Sequence, residues 1–281
     1  MSIISYDPIF NDPYPDLNFP AALEGLYINN QGSVLLGRLY VAQGSELHPT
    51  ILLLHGFPGH ELNLDLAHVL RRAGWNVVTF HYRGSWGSQG DFSFTHCIED
   101  VHAVLSYLRK PEIIQKFRID SRKIVTIGFS MGGFLSLITA YQNSSINAAA
   151  SIAGVNFDLW AKFGIDEETR KILNQLLEES LLPLSGTTSQ KLLEEVLENE
   201  NNWNVINFVK TLSNRHLLLV GGSKDTVVPI SNHHKPLVEA FHSAQTTHIV
   251  EELLEADHAF SDKRIALIKI VLKWLENLPQ F

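Results

Sequence analysis

The sequence predicts an α/β fold with a mostly parallel central sheet and helices on both of its faces. Short apolar segments alternate with amphipathic segments along most of the 281 residues, which is typical of βαβ units. Continuous apolar runs such as Thr50–Leu54 indicate strands that are buried on both faces. The length suits one large domain or one domain with an insertion.

The predicted elements follow one another from residue 23 onward. The first two strands are predicted at Leu23–Asn29 and Val34–Val41. The turn between them, Asn30-Gln31-Gly32, favours a hairpin. The later strands are predicted at Thr50–Leu54, Trp75–Tyr82, Lys123–Phe129, Ala148–Val155, Arg215–Val220 and Thr247–Leu253. Apolar residues at helical spacing and terminating glycines predict the helices between them. These helices are predicted at Leu62–Ala73, Thr95–Leu108, Gly132–Tyr141, Asn232–Phe241 and Arg264–Leu278.

Two segments depart from this alternation. Residues 1–22 are rich in proline, which excludes a helix or a central strand, so they are predicted to form an extended arm. Its aromatic residues suit packing on the domain or on a neighbouring chain, which leaves a homodimer open. Residues 157–209 contain two amphipathic helical patterns and are predicted to be a helical lid or cap insertion. The core would then consist of residues 23–156 and 210–281.

Composition excludes several classes of function. The net charge of −8, from 22 basic and 30 acidic residues, argues against a nucleic-acid partner. One cysteine cannot form an internal disulfide or a cysteine-rich metal site. No apolar stretch is long enough to span a membrane, and the first 20 residues lack the pattern of a signal peptide. A cytoplasmic location is the expectation that follows.

The strongest chemical signal is Gly128-Phe129-Ser130-Met131-Gly132, a G-x-S-x-G pattern between a predicted strand and a predicted helix. In that context a sharp strand-to-helix turn exposes the serine hydroxyl as a nucleophile. A tight turn with a passive serine is the alternative interpretation.

A serine hydroxyl requires a neighbouring base, which in turn requires an orienting acid. Asp225 and His258 follow predicted strands downstream of Ser130, where the carboxyl ends of parallel strands place binding loops. Asp158 follows another strand and is the alternative acid. His233 and His234, near a predicted helix start, are expected to be solvated.

The segment His55-Gly56-Phe57-Pro58-Gly59 follows the third predicted strand. The backbone N–H groups of Phe57 and Met131 are predicted to form an oxyanion hole, because loops in these two positions supply such donors. The pair His60-Glu61 lacks a third ligand for a metal. Neither a metal nor a cofactor is therefore expected.

These motifs, in this order, resemble those of the α/β-hydrolase superfamily. The resemblance extends from about residue 23 to 278 and is closest to esterase-like, dienelactone-hydrolase-like, serine-aminopeptidase-like and prolyl-oligopeptidase-like members. It includes the stretch Tyr82–Ser88. It implies an α/β-hydrolase fold and a serine hydrolase with the triad Ser130, Asp225 and His258, acting on a small or medium carboxylic ester.

Other functions remain open at this stage. An aminopeptidase or amidase would use the same triad on a peptide or amide, and a non-catalytic binding module could use the same scaffold. The aromatic residues of the insertion could line an acyl pocket or simply hold the insertion to the core. These residues are Trp160, Phe163, Trp203 and Phe208.

Overall fold

One eight-stranded sheet lies at the centre of the computed structural model, which describes residues 6–163 and 166–279. In chain order the strands are β1 (Ala22–Asn30), β2 (Ser33–Val41), β3 (His48–Leu54), β4 (Asn76–Phe80), β5 (Ile119–Phe129), β6 (Ala148–Ile152), β7 (His216–Gly222) and β8 (Ile249–Leu254). Their spatial order is β1-β2-β4-β3-β5-β6-β7-β8. Strand β2 is antiparallel to both of its neighbours, and all the other pairs are parallel. The predicted mostly parallel sheet is confirmed.

Helices connect the strands and flank the sheet. They are α1 (Leu64–Arg72), α2 (Phe94–Leu108), α3 (Pro111–Phe117), α4 (Met131–Gln142), α5 (Phe157–Phe163), α6 (Glu167–Glu179), α7 (Ser189–Glu198), α8 (Val209–Leu212), α9 (His234–Ser243) and α10 (Arg264–Glu276). Helices α3 and α5 were not predicted, because seven residues are too few to show a helical period. Within the described ranges, no helix is both long and apolar enough to cross a bilayer.

The two faces of the sheet support separate apolar cores. Along β3, Leu52 and Leu54 belong to the core that includes α2 and α4, whereas Ile51 and Leu53 belong to the core that includes α1 and α10. This division follows from the two-residue period of a strand. Both faces are covered, so the interior strands are mostly apolar, with a few buried polar residues such as Asn76 and Thr126.

The N-terminal arm packs on its own domain from residue 6 onward. The Arg72 side chain donates to the Pro8 carbonyl at 2.7 Å, and the Tyr6 hydroxyl donates to the Arg72 carbonyl. Further along, Gln43 donates to the Tyr14 carbonyl at 2.9 Å. These contacts connect the arm to α1 and to the loop after β2.

The segment between β6 and β7 is held against the loop that follows β4. The Ser185 N–H donates to the Gly84 carbonyl at 2.7 Å, and the Trp86 N–H donates to the Pro183 carbonyl at 3.0 Å. From α7, the Glu195 carboxylate accepts the N–H groups that begin α2, at 2.9 and 2.7 Å. A negative side chain at a helix N-terminus is favourable because it satisfies unpaired N–H donors.

A buried ion pair fixes the start of that same loop. Arg83 Nε lies 2.7 Å from Asp100 Oδ1, and the Arg83 N–H donates to Asp100 Oδ2 at 2.7 Å. Asn30 donates to Asp100 as well, at 2.8 Å. Asp100 is fully buried in α2, so the pair joins β1, the loop and α2 in the interior.

Asp100→Asn is expected to lower the free energy of unfolding by about 3 kcal/mol, because the Arg83 charge would stay buried with less compensation. Urea unfolding would measure this change. Glu167→Gln is the matched control: its ion pair with Lys171 is exposed, and its loss should cost less than about 0.5 kcal/mol. Equal effects of the two substitutions would contradict the structural role of the buried pair.

Candidate active site

The loops after several parallel strands meet at one edge of the sheet. Leu54 at the end of β3 pairs with Gly128 of β5, and Gly222 at the end of β7 pairs with Leu254 of β8. Because the carboxyl ends of parallel strands lie together, the residues that follow these strands converge. This convergence explains how residues far apart in the sequence share one site.

Ser130 occupies the sharp turn between β5 and α4. Its φ of 57° and ψ of −118° lie in a region that a residue with a side chain rarely adopts. The Ser130 N–H donates to the Ile152 carbonyl at 2.9 Å, and the Ser130 carbonyl accepts from Gly133 at 2.9 Å. These backbone bonds hold the turn in place. The strand–turn–helix arrangement is the one expected for G-x-S-x-G.

His258 and Asp225 are in direct contact. His258 Nδ1 lies 2.7 Å from Asp225 Oδ2, and Asp225 Oδ1 accepts the N–H groups of Val227 and Val228 at 2.8 Å each. A carboxylate only accepts, so in the neutral ring Nδ1 carries the proton and Nε2 the lone pair. The His258 ring packs on Phe129, the residue before Ser130, with 4.9 Å between ring centroids. The site therefore pairs an oriented imidazole with the turn that carries the serine.

Within the described residues, no hydrogen bond joins the Ser130 hydroxyl to His258.

Gly222 allows the two loops that carry this pair to approach one another. A Cβ at Gly222 would lie 2.7 Å from the Ala256 carbonyl oxygen and 2.9 Å from that of Asp257. Any other residue would push the His258 loop away from the end of β7. The short Asp225–His258 distance thus depends on the glycine that ends the strand.

The alternative acid, Asp158, has a different partner. It lies in α5, is buried, and accepts from Lys162 at 2.7 Å. No contact between Asp158 and His258 is present among the described residues. The geometry favours Asp225 as the partner of His258.

The loop after β3 lies directly against the turn that carries Ser130. A Cβ at Gly56 would come within 2.9 Å of Ser130 Cβ. Trp86 Nε1 donates to the Pro58 carbonyl at 2.7 Å and braces this loop from the other side. Across the described residues, the N–H groups of Phe57 and Met131 donate to no acceptor. Both donors remain available to an oxygen of a substrate.

Two buried histidines lie near this site. His55 is fully enclosed beside the Phe57 loop, and burial lowers its pKa to about 3. His233 is only 6% exposed, and burial lowers its pKa to about 4, although the Asp225 charge opposes the shift. Its Nδ1 accepts the Asn156 N–H at 3.0 Å, so the neutral ring carries its proton on Nε2.

The expectation that His233 and His234 are solvated is wrong. His233 closes the space between the loops after β6 and β7, and His234 contacts Glu251 at 3.1 Å with a side chain that is mostly buried. Among 13 histidines, the sequence contains no local signal that would single out His233. Its position depends on tertiary packing between Asn156 and Asp225.

These pKa values predict a loss of stability in mild acid. Above pH 6.5 each histidine is neutral whether the chain is folded or unfolded. Between pH 6.5 and about 4, only the unfolded chain takes up these protons, so unfolding becomes easier as the pH falls. From pH 7 to pH 5 each histidine should remove about 2 kcal/mol from the free energy of unfolding.

Urea unfolding of native protein and His233→Gln at both pH values would test this expectation. The variant should lose about 2 kcal/mol less than native protein between the two pH values. His242→Gln, on an exposed position of α9, should keep the native pH dependence. An unchanged pH dependence in His233→Gln would contradict the assignment.

The aromatic residues singled out in the insertion occupy different environments. Trp203 is buried between the rings of Phe94, Phe134 and Phe157, at centroid distances of 5.7 to 6.3 Å. Phe208 is buried and stacks on Tyr141 at 4.5 Å. Both side chains therefore hold the segment to the core.

Trp160 is only partly buried and contacts Phe157 and Phe94, at centroid distances of 5.2 and 6.5 Å. Phe94 in turn contacts the ring of Phe57, at 5.6 Å. Trp160 thus belongs to an aromatic cluster that reaches Phe57, in the loop after β3. Phe163 ends α5, and its side chain lies outside the described residues.

Solved structures with a similar fold include several hydrolases. Est1E from Butyrivibrio proteoclasticus aligns at 18% identity with a TM-score of 0.66, covering 90% of this chain and 99% of that one. An esterase from Pyrococcus furiosus aligns at 18% identity with a TM-score of 0.64, covering 92% and 91%. The acylaminoacyl peptidase of Pyrococcus horikoshii aligns at 16% identity with a TM-score of 0.68, covering 93% of this chain and 43% of that one. These likenesses establish the α/β-hydrolase fold.

Among curated proteins, the chain is similar to an Escherichia coli protein described as an uncharacterized 31.7 kDa protein in the traX-finO intergenic region. The two are 32% identical over 116 residues, which is 40% of this chain and 39% of the relative. The match thus spans about two fifths of the relative's length.

A family model described as BD-FAE matches residues 59–239, more than half of the chain. The matched range contains Ser130 and Asp225 and ends before His258. Together with the sheet order and the turn at Ser130, this match shows that the chain belongs to the BD-FAE family of the α/β-hydrolase superfamily.

Proposed function

We propose that the protein is a serine hydrolase that cleaves small or medium carboxylic esters through an acyl-enzyme on Ser130. The arrangement of side chains and N–H groups around Ser130 supports this proposed function most strongly. The Asp225 and His258 side chains are 2.7 Å apart, and the His258 ring packs on Phe129 beside the strained turn of Ser130. Among the described residues, the N–H groups of Phe57 and Met131 have no acceptor, and they belong to the loop against this turn and to the turn itself.

The proposed reaction begins when His258 Nε2 removes the proton from Ser130 Oγ as this oxygen attacks the ester carbonyl. Asp225 keeps the proton on Nδ1 and stabilises the imidazolium that forms. The N–H groups of Phe57 and Met131 stabilise the oxyanion of the tetrahedral intermediate, and each such donor contributes about 3–4 kcal/mol in comparable sites.

The intermediate then collapses and the bond to the alcohol oxygen breaks. His258 gives its proton to that oxygen, and the acyl group stays on Ser130. A water molecule next attacks the acyl carbonyl while His258 accepts its proton. The carboxylic acid leaves as Ser130 Oγ regains a proton from His258.

In this proposal residues 157–163 and 166–209 cover the acyl side of the site, and Trp160 contacts the acyl group. Its partly buried ring extends the aromatic cluster that contains Phe57. The buried Trp203 packs on Phe94 and Phe157 of the same cluster, whereas Phe208 stacks on Tyr141 and holds the segment to α4.

Labelling with a fluorophosphonate and mapping of the labelled peptide would test the proposed nucleophile. The label is expected on Ser130. Assays with p-nitrophenyl esters and aminoacyl anilides in parallel would then distinguish an esterase from an aminopeptidase. Faster turnover of the anilides than of the esters would indicate an aminopeptidase instead of an esterase. Native protein that is neither labelled nor active would indicate a binding module.

A further inference from the structure

Arg264, the first residue of α10, donates four hydrogen bonds through its guanidinium. Its Nε and Nη2 contact the two carboxylate oxygens of Asp65 at 2.9 and 2.6 Å. Nη2 also donates to Asn63 Oδ1 at 2.8 Å, and Nη1 donates to the Ala259 carbonyl at 3.0 Å. One guanidinium thus contacts three residues in a planar, forked geometry that is specific to arginine.

These partners belong to the two loops of the site. Ala259 immediately follows His258. Asn63 and Asp65 start α1, directly after the loop that presents the Phe57 N–H. The Arg264 side chain therefore connects the loop that carries His258 with the end of the loop that carries Phe57.

The α1 end of this connection is itself conformationally fixed. Asn63 adopts φ 53°, a left-handed conformation that asparagine tolerates, and its carbonyl accepts the Ala67 N–H at 3.0 Å. On the other side, Asp257 accepts the N–H and the hydroxyl of Ser261 at 2.8 and 2.7 Å. Each loop is ordered by its own bonds, and the hydrogen bonds of Arg264 join the two.

The charges around Arg264 are complementary. Burial would raise the pKa of the Asp65 carboxyl, but the hydrogen bonds and charge of Arg264 lower it below its ordinary value. The Arg264 side chain is 20% exposed. It also lines a cavity of about 500 Å³ together with Asp65 and Ala259. A small solute can therefore reach the position of the guanidinium.

We propose that Arg264 is a positioning residue for the reaction, because it holds His258 at a fixed place relative to Ser130 and the Phe57 N–H. This inference rests on the proposed function. A displacement of about 1 Å in a catalytic group can cost about 100-fold in rate. Lysine would keep the charge but could not bridge three partners.

The test compares Arg264→Lys, Arg264→Ala and native protein with a p-nitrophenyl ester. In Arg264→Lys, kcat is expected to fall about 10- to 100-fold while KM changes less than about 2-fold. The rate of Ser130 labelling by a fluorophosphonate should fall by a similar factor, because labelling depends on the same base. Millimolar guanidinium should restore at least part of kcat in Arg264→Ala and leave Arg264→Lys unaffected.

Thermal unfolding of each variant separates positioning from stability. Arg122→Lys is the matched control, because the Arg122 side chain is 79% exposed and pairs with Asp120 at 3.3 Å. It should behave as native protein. A folded Arg264→Lys with native kcat would overturn the inference, as would an Arg264→Ala that guanidinium does not restore. Absence of labelling and turnover in native protein would instead overturn the proposed function itself.

Discussion

Ser130→Ala is expected to lower kcat for ester hydrolysis by about 10⁶-fold, because in the proposed mechanism this residue supplies the oxygen to which the acyl group is transferred. The substrate would still meet the same loop donors, so KM should change little. Steady-state kinetics with a p-nitrophenyl ester and fluorophosphonate labelling would both report the loss. The fold should persist, since the turn is held by backbone bonds of Ser130 and not by its hydroxyl.

Ser145→Ala is the control for this experiment. Ser145 is exposed beyond the end of α4, so its loss should leave kcat and labelling unchanged. If Ser130→Ala kept more than a small fraction of native kcat, another residue would have to be the nucleophile and the proposed mechanism would be wrong.

Asp225→Asn is expected to reduce kcat by about 10⁴-fold. Asp225 Oδ1 already accepts two backbone N–H groups, so an asparagine would place its carbonyl oxygen there and turn its NH₂ group towards His258. His258 Nδ1 would then have to accept a hydrogen bond, and the proton would move to Nε2. In that tautomer the imidazole cannot take the Ser130 proton.

Asp158→Asn tests the alternative acid under matched conditions. Asp158 bonds to Lys162, so the substitution should alter stability while kcat of the folded protein stays near the native value. A large loss of kcat in Asp158→Asn with none in Asp225→Asn would reverse the assignment. The two substitutions change the same functional group, which makes their comparison direct.

Much of the fold follows from local patterns in the sequence. The turn at Asn30-Gln31-Gly32 predicts the hairpin of β1 and β2, and the continuous apolar run at Thr50–Leu54 predicts a buried strand. These inferences succeed because a strand with two covered faces must be apolar at nearly every position. Short helices such as α3 and α5 were missed because their patterns are brief.

The chemistry of the site is partly local too. The turn at Ser130 requires glycines on both sides of the serine, so it can be recognised in the sequence as a G-x-S-x-G motif. The contact between Asp225 and His258 links residues 33 positions apart, and only the order of the strands brings them together. The sequence context favoured Asp225 over Asp158 as the acid that contacts His258. Only the coordinates show which of the two carboxylates lies within hydrogen-bond distance of the imidazole.

The sequence by itself predicted the alternation of elements, the mostly parallel sheet and the strand–turn–helix motif around Ser130, because each leaves a pattern among near neighbours along the chain. Only the tertiary structure decided that His233 is buried near Asp225, that Trp203 and Phe208 are enclosed, and that Arg264 joins two loops. Burial and long-range hydrogen bonds depend on which distant residues pack together. That information is distributed over the whole chain, so no single segment of the sequence displays it.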